Sequence, residues 1–225
     1  MVVGHLLALT LSVADFFTEG LFSKTSKNKM KFISFAAGIS ISYIFLILLP
    51  EIYEGGLEYS RLVFIAVLAS FGVFHVIEKY IRQNFTGSDL RKEHILVHSG
   101  ISFSYFFIVA FLLVKVAETS VLGSVLLFIP ITLHIIIDSL PRRVTKNHYI
   151  RALSASSALL GAIYATFVEI GELGNVILLG IIGGALLYTV IRESLPKDRE
   201  GNPIYFSLGL LLFTVLILFL WNIGF

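Results

Sequence analysis

The chain contains no cysteine, which removes disulfides and thiolate metal sites from consideration. Charge is scarce as well: 14% of the 225 residues are charged, against 56% hydrophobic. A soluble domain carries roughly 25% charged residues. A soluble core cannot hide this much apolar surface, so lipid must be part of the solvent. The charges nearly cancel, at a formal net of +2, which gives no reason to invoke nucleic acid as a partner. No basic stretch opens the chain, and no small-residue cleavage site follows residues 1–10. That segment therefore reads as a retained helix and not as a signal peptide. No segment is long or polar enough to form a separate soluble domain, so residues 1–225 read as one transmembrane domain.

What is present is a set of long apolar runs, with a mean hydropathy of +0.89. A helix needs about 20 mostly apolar residues to cross the hydrocarbon layer. Eight stretches qualify: 2–22, 32–52, 62–81, 95–115, 121–140, 152–170, 174–193 and 204–223. Short polar loops separate them, two marked by the helix-stopping groups Glu54-Gly55-Gly56 and Gly201-Asn202-Pro203. The fold class expected is an all-α integral membrane bundle of eight crossings.

The basic residues orient it, because Lys and Arg accumulate on the cytoplasmic side. The odd-numbered loops hold Lys24, Lys27, Lys29 and Lys31; Lys79, Arg82, Arg91 and Lys92; Arg142, Arg143, Lys146 and Arg151; and Arg192, Lys197 and Arg199. These are 15 of the 17 basic residues. The even-numbered loops keep Arg61 and Lys115 beside Glu51, Glu54, Glu58, Glu118, Glu169 and Glu172. A miscounted helix would scramble this alternation. Both termini are therefore expected on the non-cytoplasmic side.

Two segments resemble each other. Gly38, Tyr43, Leu49-Pro50 and Glu54-Gly55 recur as Gly183, Tyr188, Leu195-Pro196 and Glu200-Gly201, with one extra residue after the tyrosine. The second and seventh stretches run in opposite directions, so the copies have opposite topology. Inverted repeats are a common transporter construction. The alternative is that Gly, Tyr and Leu-Pro simply recur at membrane helix faces and ends.

Ionisable groups in hydrocarbon cost on the order of 2.5–3.5 kcal/mol each on insertion scales, so those that remain mark candidate sites. His134 and Asp138 lie four apart in the fifth stretch, which stacks them on one helix face. An imidazole and a carboxylate so placed can share a divalent ion such as zinc, or can bond each other and lock two helices. His94 and His98 open the fourth stretch; His94 reads as an interfacial residue. His98 has Ser99 and Ser102 beside it, whose hydroxyls can ligate, hold water or bond back to their own helix. Ser12, Asp15 and Glu19, with His75 and Glu78, lie toward the cytoplasmic ends. They either line the mouth of a cation path or mark the headgroup boundary. Glu169 and Glu172 near the outer end of the sixth stretch are equally open. Helices six and seven are rich in small residues, including Gly161, Gly180, Gly183 and Gly184, which lets membrane helices approach closely. Trp221 reads as an interface anchor.

Taken together, these features resemble the ZIP family of divalent metal transporters. The resemblance lies in Leu48-Leu49-Pro50-Glu51 of the second stretch, in Gly183-Gly184-Ala185-Leu186-Leu187-Tyr188 with Leu195-Pro196 of the seventh, and in the topology. It implies an inverted three-plus-two-plus-three repeat and a metal site between the fourth and fifth helices. It also implies zinc or an iron-like ion as transported substrate, moved toward the cytosol. Of the family's ligand positions, His98, His134 and Asp138 are kept. Ser99, Ser102 and Ile135 stand where the pattern has Asn and acids, so one site is expected rather than two. The expected metal set is His98, Ser102, His134, Asp138 and Glu169, with the bilayer and a divalent ion as partners and a homodimer compatible with the pattern. No enzymatic activity is expected. The competing readings are a ZIP-fold partner or regulator without transport, and an intramembrane zinc hydrolase built on His94, His98, His134 and Asp138.

Overall fold

The computed structural model describes residues 1–17, 27–84, 87–139, 148–194 and 201–224, with the backbone alone described at 27–29, 78, 81, 82, 84, 87–99, 101, 102, 138, 139, 148–151, 154, 193 and 194. The elements are α1 (Val2–Phe17), α2 (Lys27–Tyr43), α3 (Leu49–Glu58), α4 (Leu62–Asn84), α5 (Gly87–Thr119), α6 (Val121–Ser139), α7 (His148–Phe167), α8 (Glu172–Thr189) and α9 (Pro203–Asn222). A π-helical turn, Ile44–Leu48, joins α2 to α3, and a second, Val190–Ser194, extends α8. The described residues thus form eight helical rods, one for each apolar stretch of the sequence. Three of these rods are long and apolar enough to cross a membrane: Met30–Glu58, Glu172–Arg192 and Pro203–Asn222.

The first π turn has a local cause. Proline lacks an N–H, and its ring clashes with the carbonyl four residues earlier. For Pro50 that residue is Leu46, which lies inside the first π turn. Widening the turn moves the obstructed carbonyl aside without ending the rod.

The structure corrects one stop signal. Gly55 and Gly56 do not end the second rod, which continues through them to Glu58. A Cβ at Gly55 would overlap the Val176 side chain on α8, and one at Gly56 would stand 2.5 Å from the Phe64 ring on α4. These glycines serve close packing between helices rather than a turn. The other signal behaves as its residues suggest. Gly201 takes a left-handed φ of 101°, and the Asn202 side chain caps α9 by accepting from the Ile204 and Tyr205 N–H groups. Such a cap contributes about 1 kcal/mol.

Packing is tightest in three helix pairs, α2 with α9, α5 with α7 and α4 with α8. Small residues permit each approach. Gly38 faces the Phe206 carbonyl and Gly209 the Phe35 carbonyl between α2 and α9; Gly161 faces Phe107; Gly184 faces Val67 and Phe71. The α2–α9 and α4–α8 pairs match in kind. Tyr43 meets Phe213 edge-on at 6.5 Å, and Tyr188 meets Phe71 edge-on at 5.5 Å. The Ser42 hydroxyl donates to the Leu210 carbonyl, and the Ser70 hydroxyl donates to the Ile181 carbonyl. The core runs through Tyr43, Leu48, Leu112, Leu127, Ile131, Ile182 and Phe213. The outward faces are apolar too, for example Leu208, Leu211, Val215 and Phe219 on α9. Helices apolar on both faces are suited to lipid.

Candidate metal site and a cavity at the other end

Hydrogen bonds between the helices fix which residues share a height in the bundle. The Ser124 hydroxyl of α6 donates to the Leu113 carbonyl of α5 at 2.8 Å. These helices form an antiparallel hairpin about Ser120, whose carbonyl and hydroxyl receive the Ser124 and Gly123 N–H groups. Ten residues further along α6 stands His134, and ten residues back along α5 stands Phe103. Asp138 pairs in height with Ser99 by the same step. His134 therefore sits one residue from the level of Ser102, and Asp138 one residue from the level of His98. The His134 side chain is buried, 7% exposed. The side chains of His98, Ser102 and Asp138 lie outside the described residues.

Glu169 is not brought to this level. It is exposed in the turn between α7 and α8. That turn belongs to the end where the His5 ring bonds the Thr166 hydroxyl at 2.9 Å and Gly4 adjoins Val114. His134 lies ten residues down α6 from Ser124, about 15 Å at the helical rise. A carboxylate at the opposite end does not reach the His134 imidazole. The acid that α1 supplies at the right height is Asp15. From Gly4, level with Val114, eleven residues along α1 reach Asp15 and eleven back along α5 reach Phe103. Asp15 is half-buried, and α1 packs against both α5 and α6. The sequence places Asp15 among inner polar residues, but nothing there ties it to His134; the helix register supplies that link.

Other polar residues have structural partners. The Ser12 hydroxyl is buried and donates to the Ala155 carbonyl at 2.5 Å, tying α1 to α7. Ser104 bonds back to the Gly100 carbonyl of its own helix. His75 is exposed, 6.0 Å from the Tyr188 ring, and the Arg192 guanidinium donates to the Tyr188 hydroxyl. Glu19 lies outside the described residues, as does the side chain of Glu78. Ile135, where the family pattern has an acid, is buried in the apolar core. Among the described residues, no group of three His, Cys, Asp or Glu side chains stands close enough to hold a metal.

At the other end the rods enclose a cavity of about 560 Å³. Its depth is lined by Tyr43, Leu112, Leu127 and Leu179, its rim by Glu51, Glu54, Glu172 and Trp221. Lys115, which ends the fourth apolar stretch and is counted with the charges of the even-numbered loops, lies within α5 on this wall. It is only 8% exposed, and its ammonium stands 3.5 Å from the Glu118 carboxylate. The nearby Tyr59 hydroxyl has a pKa raised above the ordinary tyrosine value by desolvation, by its bond to Glu58, and by the charges of Glu58 and Glu172. Negative charge thus gathers at this end, as the loop composition implies.

Comparison with known protein families and with curated proteins finds no match. The reading of both sites rests on their own residues.

Proposed function

We propose that the chain is a multi-pass membrane transporter of a divalent metal cation, zinc or iron-like. It crosses the bilayer eight times with both termini on the non-cytoplasmic side, in a ZIP-like inverted repeat. The ion is held between α5 and α6 by His134 and Asp138 with His98, helped by Ser102, and Asp15 of α1 takes the part expected of Glu169. The observation that carries this reading is the buried His134 imidazole, at one height with Asp15 and with two further donor positions. A buried imidazole with a carboxylate at its level supplies the donor types such ions take. The matched α2–α9 and α4–α8 contacts, and the π turn before each Leu-Pro, support the repeat. Bistable helix pairs around a central site are how such repeats alternate access.

A non-transporting regulator with the same architecture is the second reading. The apolar surroundings of Ile135 favour it, since they leave no room for a second ion. The deciding experiment is uptake of zinc, iron and manganese into proteoliposomes holding the purified chain. Failure of all three to bind or enter sinks the transport reading and leaves the regulator.

The absence of native cysteine makes the topology directly testable. Tyr59 and Lys79 are exposed at opposite ends of the α4 rod. Tyr59→Cys is expected to react with an impermeant maleimide on intact cells, and Lys79→Cys only after permeabilisation. The reverse pattern would invert the orientation.

A further inference from the structure

The cavity carries chemistry that metal transport does not use. Its volume, about 560 Å³, falls within the roughly 300–1,000 Å³ typical of small-molecule sites. Much of its wall is apolar: Leu46, Ile47, Leu112, Val116, Leu127 and Leu179. An inorganic ion gains nothing from such a wall, whereas a methylene chain does. The rim carboxylates of Glu51, Glu54 and Glu172 favour a cation, yet they are not grouped closely enough to hold a metal.

The interior adds one specific demand. The part-buried Asn175 side chain lines this cavity, and its oxygen, turned away from solvent, accepts no hydrogen bond from any described group, so a ligand's donor meets it when the amide rotates toward the cavity. A buried acceptor left unsatisfied is costly, so it calls for a donor from a ligand. Lys115 demonstrates what this wall accommodates. Its methylene stem and ammonium are buried among the same apolar side chains, with Glu118 as counter-charge.

We infer that the cavity binds a small primary alkylammonium compound with a second hydrogen-bond donor, such as a diamine or an amino alcohol. The ammonium lies at the rim against Glu51 and Glu54, the chain runs along the apolar wall, and the second donor reaches Asn175. This site is independent of the His134 region at the opposite end of the bundle, so it stands or falls separately from metal transport.

Trp221 is the only tryptophan of the chain and lines the cavity, so its emission reports occupancy. Titrating the purified full chain with butane-1,4-diamine is expected to give a saturable change. Butylamine, which lacks the second donor, should bind about tenfold more weakly. Asn175→Leu should erase that difference, and Glu51→Gln with Glu54→Gln should weaken both amines about tenfold. The wild-type titration decides the matter even if a variant fails to fold. No saturable response to either amine below about 10 mM, well within reach for a ligand of this size, would overturn the proposal. So would equal displacement by Mg²⁺ at matched ionic strength, which would make the cavity a general cation vestibule. Repeating the titration in phosphatidylcholine nanodiscs with and without phosphatidylethanolamine assigns the source. Competition by the ethanolamine headgroup supports a lipid occupant, and its absence supports a soluble amine.

Discussion

Replacing His134 by alanine is expected to lower divalent metal uptake by at least about tenfold, because even supporting residues around a metal cost 10–100-fold when removed. The imidazole is buried, 7% exposed, so the substitution also leaves a small void, and a cost of about 1–2 kcal/mol in stability is expected alongside. Activity and stability therefore have to be measured on the same preparations. His134→Gln keeps volume and a donor–acceptor pair but ligates poorly. It should retain the thermal midpoint of the wild type while losing uptake. If both variants transport normally, the metal site is not here.

The register argument sharpens this test. Asp15→Asn should reduce uptake, since it removes a charge from the level of His134. Glu169→Gln should leave uptake within about twofold of wild type, because about 15 Å or more of helix separates it from that level. The opposite result, loss with Glu169→Gln and none with Asp15→Asn, would restore the site expected from sequence alone and overturn the placement of the acid. Metal binding by the solubilised protein, measured by calorimetry, separates loss of the ligand set from loss of the conformational cycle.

The eight rods were legible in the sequence because each is a long apolar run, apolar on its outward face as well as its core face. Leu208, Leu211 and Phe219 are exposed on α9 yet carry the same signal as buried Phe213 and Ile217. Ends were less legible. Gly55-Gly56 looks like a stop because glycine serves both turns and close helix contacts, and only the presence of Val176 and Phe64 distinguishes the two. Lys115 looks like a loop residue because a charge interrupts hydropathy, although its stem is buried within α5. The i,i+4 spacing of His134 and Asp138 needs one helix and is visible locally. Which acid shares their level depends on how α1 aligns with α5 and α6, a tertiary property with no local signature. The cavity is of the same kind. Tyr43, Lys115, Asn175 and Trp221 lie on four different rods, and no spacing in the sequence connects them.

The largest loss of stability is expected from the helix crossings. A Cβ at Gly184 would overlap the Val67 carbonyl, and one at Gly209 would overlap the Phe35 carbonyl. Both obstacles are backbone, so no rotamer change relieves them and the helices must separate. Overpacking a core ordinarily costs about 1–3 kcal/mol. Separating two of the three tightest pairs also loses the Ser70 bond to Ile181 or the Ser42 bond to Leu210, each about 1 kcal/mol. Gly184→Leu and Gly209→Leu should therefore each cost about 3 kcal/mol or more, read as loss of monodisperse protein or a large fall in thermal midpoint. Gly72 is the control. A Cβ there meets nothing within 4 Å, and it lies in the interior of α4. Gly72→Ala should be neutral or stabilising by up to about 1 kcal/mol, from helix propensity alone. If Gly184→Leu is tolerated as well as Gly72→Ala, the close α4–α8 contact does not exist, and the matched pairing of α4–α8 with α2–α9 goes with it. The repeat would then lose its support while the His134 site remained to be judged on its own variants.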